Sequence, residues 1–265
     1  MPAVVLDFHY SLAGAITGFF VGITGVGGGA LMTPLLLLFF GVAPTTAIAT
    51  DLWFAFVTKL FGFAAHSRSG NVDWKVVRRL WLGSLPLAIG IVFYVAHFHQ
   101  LGTAPWLTQA IAWVVMATAV GLLLSPYLLA KGRAQRIGAP DTFKYFQPLL
   151  TVLAGAILGA CVSLTSIGAG ALGSVMLLYL YPLRLTPHRL VATDIVHAIP
   201  LAAVAGMGYL WAGLVDINML ISLLIGSVPA VYFGSILANK MPGRLIQLIL
   251  AIVLMLASVK MLGHI

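Results

Sequence analysis

The sequence contains no glutamate. Its six acidic residues, in a chain of 265, are all aspartates, and charged residues make up only 8% of the total. Carboxylate-rich metal sites and Glu-based acid–base mechanisms are thereby nearly excluded. A single cysteine, Cys161, excludes an internal disulfide and a Cys-cluster metal centre. Its apolar neighbours mark it as a small buried hydrophobe rather than a nucleophile. No Lys or Arg precedes the first apolar run, so no cleaved signal peptide is expected. Long polar stretches are equally scarce: 61% of the residues are hydrophobic, a composition outside that of soluble domains, and the chain reads as an all-α polytopic membrane protein. Fourteen Lys and Arg give a net charge of +8. Cytoplasmic loops account for that excess, so no nucleic-acid partner is invoked.

What the sequence has in abundance is glycine, and it is concentrated. The run Gly22-Ile23-Thr24-Gly25-Val26-Gly27-Gly28-Gly29-Ala30 interrupts an apolar stretch, and Thr165-Ser166-Ile167-Gly168-Ala169-Gly170-Ala171-Leu172 interrupts another. Each break is followed by a Pro and then by Ala-Thr-Asp: Pro44 with Ala49-Thr50-Asp51, and Pro187 with Ala192-Thr193-Asp194. A constant offset of 143 carries Pro44 to Pro187 and Asp51 to Asp194, and continues through Gly70/Gly213, Asp73/Asp216, Gly83/Gly226, Ser84/Ser227 and Pro86/Pro229. The glycine breaks themselves align at an offset of 141. The chain is one unit written twice: residues 1–130 form a first transmembrane repeat, 131–145 a basic cytoplasmic linker, and 146–265 a second repeat.

Charge sets the orientation. The basic segments at 66–79, 131–145 and 239–244 belong in the cytoplasm, while 97–105 and 210–216 carry no Lys or Arg and face out. Tracing the crossings makes the two repeats inverted, whether each hairpin re-enters or crosses fully, and puts both termini outside. Lys260 near the C-terminus is the one charge against this assignment. The segments flanking the first break, about Phe8–Val21 and Leu31–Phe40, are short for a full crossing, which suggests broken or re-entrant hairpins meeting near the bilayer midplane.

Non-helical backbone at membrane depth is tolerated only where protein or a water-filled cavity satisfies its amides. Glycine also lets a ligand approach the main chain closely. A helix that starts just after a break turns its free N–H groups and positive dipole end toward the gap, which suits an anion. The expected anion contacts are Thr24, Gly25, Gly27, Gly28 and Gly29 in the first break and Thr165, Ser166, Gly168 and Gly170 in the second. The alternative reading of such glycines is close helix packing. Asp51 and Asp194 lie about two turns into their helices; they carry a coupling proton, bind a cation, or brace the breaks. His197 falls one turn after Asp194 on the same face and is positioned to share its proton, although its counterpart is Phe54. Lys59, with Ala202 as counterpart, either attracts an anion or snorkels to the cytoplasmic edge; the nearby His66 and Arg68 favour snorkelling. Arg184 and Arg189 flank the second-half turn, as lining of an entrance or as interfacial anchors.

The break Gly22-x-x-Gly25-x-Gly27-Gly28-Gly29, followed by Leu31-x-x-Pro34 and the turn before Ala49-Thr50, together with its weaker second copy and the Gly83 and Gly226 spans, resembles the sulfite exporter TauE/SafE family of membrane permeases. The resemblance covers nearly the whole chain. It implies movement of sulfur-containing anions such as sulfite, thiosulfate and organosulfonates across the bacterial cytoplasmic (inner) membrane, with Thr24 to Gly29 and Thr165 to Gly170 as anion contacts. The Asp after Ala-Thr has no clear place in the family pattern, so coupling through Asp51 and Asp194 rests on physics alone. The expected function is a secondary transporter for a small sulfur oxyanion or organosulfonate, working by alternating access with proton coupling as an option. It would not be an enzyme. No metal or cofactor is implied, the partners are the sulfur anion and the lipid bilayer, and homo-oligomerisation stays open. A passive anion channel and a membrane-embedded lipid-diphosphate hydrolase are the competing readings. The absence of glutamate and of an Arg near either break counts against the hydrolase.

Overall fold

The computed structural model describes residues 6–24, 29–66, 72–98, 105–138, 140–238 and 243–263. Among these the chain is all-helical, with no strand, in ten helices: α1 Phe8–Thr24, α2 Gly29–Phe40, α3 Pro44–His66, α4 Trp74–Phe98, α5 Pro105–Gly138, α6 Pro140–Thr165, α7 Ala171–Leu180, α8 Pro187–Trp211, α9 Ile217–Ala238 and α10 Gly243–Gly263. Six of them, α4, α5, α6, α8, α9 and α10, are long and apolar enough to cross a membrane. The outer surface carries Phe93, Trp113, Leu149, Tyr232 and Leu256, each more than half exposed, as a lipid-facing shell requires. The chain is a multi-pass membrane protein.

The stretch 131–145 is mostly helix. Helix α5 continues to Gly138 and α6 starts at Pro140, so the polar segment extends two spans rather than forming a separate loop between them. Similarly, Lys75, Arg78 and Arg79 fall on the first turns of α4.

Packing follows the duplication contact by contact. Helix α1 lies along α9 and α6 along α4, with glycines at the crossings. A Cβ on Gly14 would strike the carbonyl of Leu223, and one on Gly155 that of Leu80; Gly18 abuts Ser227 and Gly159 abuts Ser84. In the other direction Gly226 meets the Ser11 carbonyl and Gly83 that of Val152. Every one of these pairs maps onto the other by adding 141 on one helix and 143 on its partner. Close backbone approach through small residues is how apolar helices associate without a hydrophobic drive between them.

The order of contacts fixes directions. Gly14, Gly18 and Gly22 meet Leu223, Ser227 and Val231 in turn, so α1 and α9 run parallel, as do α6 and α4. Helix α8 runs parallel to α4: Thr193 touches Asp73, His197 touches Ser84, and Gly208 abuts Val92. Helix α3 runs antiparallel to its equivalent α8, with Trp53 donating to the Gly206 carbonyl at 2.9 Å and Lys59 further along interacting with Asp194 and His197.

Each broken hairpin starts and finishes at one end of the bundle. Tyr10 of α1 stacks on Phe40 of α2, with ring centroids 4.7 Å apart, near Ser222, which accepts from the Asp7 amide at 3.1 Å. Gln147 of α6 donates to the Leu180 carbonyl at the end of α7 at 2.7 Å, beside the Thr151–Tyr181 hydroxyl pair at 2.8 Å. Arg79 donates to the Tyr181 hydroxyl at 3.1 Å, and Arg184 chelates Asp73 through Nε at 2.5 Å and Nη2 at 2.9 Å. The second hairpin is thus pinned at the Asp73 end and the first at the Asp216 end. The 25-residue α8 separates those ends, since Thr193 near its start touches Asp73 and its C-terminus leads to Asp216. Helices α2 and α7, with 12 and 10 residues, span only about 18 and 15 Å.

Candidate functional site

The two Ala-Thr-Asp motifs divide their labour. Thr50 Oγ1 accepts from the Asp216 amide at 3.2 Å, and Thr193 Oγ1 accepts from the Asp73 amide at 3.1 Å. Asp216 in turn caps α9 through the Met219 amide at 3.0 Å, and Asp73 caps α4 through Val76 at 3.4 Å. Each threonine therefore fixes the first turn of a helix in the opposite half, and the two sets are equivalent at the offset of 143. The duplicated Thr and Asp residues were visible in the sequence, but the cross-half pairing needed the fold.

The following residues, Asp51 and Asp194, are both fully buried. Thr33 of α2 donates to Asp51 Oδ2 at 2.5 Å, while Oδ1 has no hydrogen-bond partner. Ser166, in the second break, lies close enough to interact with the Asp51 carboxyl, without a hydrogen bond of good geometry. Asp194 has no partner on either oxygen; its carboxylate sits against the N-terminal turn of α7, interacting with the Gly170 backbone. A Cβ at Gly173 would stand 2.5 Å from Asp194 Oδ1, so that turn needs glycine for the carboxylate to fit. The positive end of α7 is thus faced by the protein's own anion.

Lys59 does not snorkel. It is 3% exposed, its Nζ points at the Ala169 carbonyl in the second break at 3.5 Å, and it interacts with both Asp194 and Asp51. The tertiary position of α3 keeps Lys59 inside, against the pull of its short distance to His66. His197 does not share a hydrogen bond with Asp194 either. Its Nε2 pairs with Ser84 Oγ at 3.0 Å, and Nδ1 has no partner. Same-face spacing brought the two residues to one side of α8, but α4 supplies the nearer hydroxyl.

The second break is buried, irregular backbone. Ser166 adopts φ 60, Gly168 φ 132 and Gly170 φ 125, the last two readily reached by glycine alone. Ser166 stands where the first copy has Gly25. Thr165 donates to the Cys161 carbonyl at 2.6 Å, and its equivalent Thr24 donates to Phe20 at 2.7 Å, so both hydroxyl protons serve their own helices. Ser166 Oγ has no partner, nor does Ser163 Oγ. The expected contacts Gly25, Gly27 and Gly28 lie outside the described residues, and Gly29 opens α2. Arg184, 45% exposed in its side chain, pairs with the buried Asp73.

A cavity of about 410 Å³ reaches Ile23 and Thr24 at the end of α1. Its walls come from α5, α7 and the starts of α8 and α10, including Ser125, Ser174, Val191 and Arg244. Among the described residues no group of three or more His, Cys, Asp or Glu is placed to hold a metal.

Apolar helices with two backbone breaks, a buried ionic centre shared between halves and a cavity leading to one break define a membrane transport protein. The sequence profile of the sulfite exporter TauE/SafE family matches residues 10–261, and the chain belongs to that family. It is 36% identical over 259 residues to the probable membrane transporter protein YjnA of Bacillus subtilis (strain 168), covering 95% of this chain and 98% of the relative. It is 28% identical over 227 residues to the probable membrane transporter protein YdhB of the same organism, covering 86% and 88% of the two chains. The probable membrane transporter protein MJ0441 of Methanocaldococcus jannaschii is 26% identical over 237 residues, covering 82% of this chain and 81% of its own. No solved structure matches the chain.

Proposed function

We propose that the protein is a secondary transporter for a small sulfur oxyanion or organosulfonate, of the sulfite, thiosulfate or sulfoacetate class. It resides in the bacterial cytoplasmic membrane with both termini outside and works by alternating access between inverted halves. The observation that carries this reading is the pair of broken hairpins, pinned at opposite ends of the bundle, with irregular backbone of the second one buried against α3 of the other half. Beside that backbone the Ser163 and Ser166 hydroxyls have no hydrogen-bond partner, and Lys59 is the cation that faces it, so an anion bound there would meet mostly neutral donors and release stays feasible. The cavity lies at the end bearing the basic segments; of its lining residues Val191 is part-exposed and Ser174 and Leu190 are nearly buried, while their outward counterparts Ile48, Thr33 and Ala47 are all fully buried. That asymmetry supports an inward-open, outward-closed state.

The buried centre holds two carboxylates for one ammonium. A proton on this set brings it to neutrality, which makes it the place where coupling would act. The test is flux in proteoliposomes with sulfite, thiosulfate, sulfate, sulfoacetate and chloride, with and without a proton gradient. Saturable flux selective for sulfur anions is expected, with loss of gradient dependence in Asp51→Asn or Asp194→Asn. Linear, non-saturating flux would instead identify a channel, and no selective flux from folded protein would end the transport reading.

A further inference from the structure

The cavity at the end of α1 has walls made mainly of Leu, Ile and Val side chains, yet one charged residue, Arg244, stands on them. We propose that this cavity is a binding site for an organic monoanion with an apolar body, its anionic head held by Arg244 and Gln247 and its body directed inward. The proposal deepens the transport reading and rests on it for its place on the route, though not for its binding test.

Volume is the first argument. At about 410 Å³ the space falls in the range of small-molecule sites and is generous for a bare four-atom oxyanion. Lining is the second. Leu129, Leu178, Val191 and Leu250 offer no replacement for the water that an inorganic anion would leave behind, whereas an alkyl body gains from the same contact. Charge is the third. Arg244 forms no ion pair among the described residues, so its guanidinium keeps its full fork of donors for a carboxylate- or sulfonate-like head. Gln247 follows one turn later on the same face of α10 and also lines the cavity. Orientation is the fourth. Of the three lining hydroxyls, Thr24 donates to the Phe20 carbonyl at 2.7 Å and Ser125 to the Leu122 carbonyl at 2.8 Å, so two of the three have committed their protons and the wall away from Arg244 suits a body more than a head.

The test is titration calorimetry on the purified full-length chain with methane-, ethane-, propane- and butanesulfonate. Butanoate serves as the carboxylate arm and inorganic sulfite as the bodyless control. The dissociation constant should fall about fourfold per added methylene. Arg244→Gln should weaken butanesulfonate about tenfold while keeping the gradient. Ser174→Leu, which fills the cavity, should flatten the gradient; thermal melting checks that both variants fold, and Val191→Phe fills the same space from another helix if Ser174→Leu does not. Butanoate following the same gradient supports a site for either head, and its failure to bind beside butanesulfonate supports a sulfonate site. Sulfite binding as tightly as butanesulfonate, or an Arg244→Gln protein that binds unchanged, overturns the proposal. If sulfite is transported but no chain-length gradient appears, the site is wrong and the transport reading stands. If the gradient appears and no anion is transported, the site stands and the transport reading fails.

Discussion

The two halves of the molecule share a frame and differ at its centre. Gly14 on Leu223 repeats as Gly155 on Leu80, and Thr50 on Asp216 repeats as Thr193 on Asp73. Around the buried aspartates the repetition stops: Lys59 has Ala202 opposite it, His197 has Phe54, and Ser166 has Gly25. Duplicated residues hold helices together across the halves. The unpaired ones put a cation, an imidazole and a hydroxyl at a single place beside the second break. A protein built as two copies of one unit has thus kept its packing symmetric and made its chemistry one-sided.

The largest test of the symmetric part is at the helix crossings. Gly83→Leu and Gly226→Leu should each prevent recovery of folded protein, and the milder Gly83→Ala and Gly226→Ala should cost about 3 kcal/mol apiece because a carbonyl oxygen must move. Thermal unfolding in detergent reads the costs. A large inequality between the two sites would break the equivalence of the halves.

The one-sided centre predicts the next effect. Lys59→Met strips both buried carboxylates of their ammonium and should cost about 3 kcal/mol or more, with loss of transport. The exchange Lys59→Ala with Ala202→Lys sharpens the point. Symmetric packing should return part of the stability, since position 202 occupies the equivalent place, while transport should stay lost because Ser166 and His197 remain on the original side. Full recovery of flux would mean that the centre is symmetric in function after all.

Smaller changes follow. His197→Phe makes the second half resemble the first and leaves Ser84 without its partner, a loss of about 2 kcal/mol. Thr50→Val and Thr193→Val should each cost about 1 kcal/mol. In the double variant the costs should add, because the two bonds lie at opposite ends of the bundle.

Much of the frame was legible before any coordinates. The offsets of 141 and 143 recur as physical contacts, because a duplicated helix pair keeps the small residues that let it pack. Helix α1 stops at Thr24 and α2 starts at Gly29, and the irregular backbone at Gly168 and Gly170 falls in the second glycine run. What escaped the sequence was tertiary. Helical spacing grouped Asp194 with His197 without revealing that Ser84 on α4 would take the imidazole. Distance along the chain sent Lys59 to the membrane edge, whereas the course of α3 delivers it to Ala169. The polar stretch 131–145 did not reveal that α5 reaches Gly138 and that α6 begins at Pro140. Thr24 and Thr165 are hydroxyls in the expected places, yet each donates to the carbonyl four residues back, a choice invisible without the backbone.

One measurement bears most directly on alternating access between the halves. Ala47 and Leu190 are equivalent at the offset of 143; Leu190 borders the cavity with 5% of its surface exposed and Ala47 has none. In a Cys161→Ala background, Ala47→Cys and Leu190→Cys would be labelled from either side of the membrane with an impermeant thiol reagent. The account predicts that the cysteine at 190 reacts from the cytoplasmic side at rest. The cysteine at 47 should become reactive from the outside alone, and only while a transported sulfur anion turns over, as reactivity at 190 falls. A cysteine at 47 that stays unreactive during turnover, or that reacts from the same side as the one at 190, would contradict it.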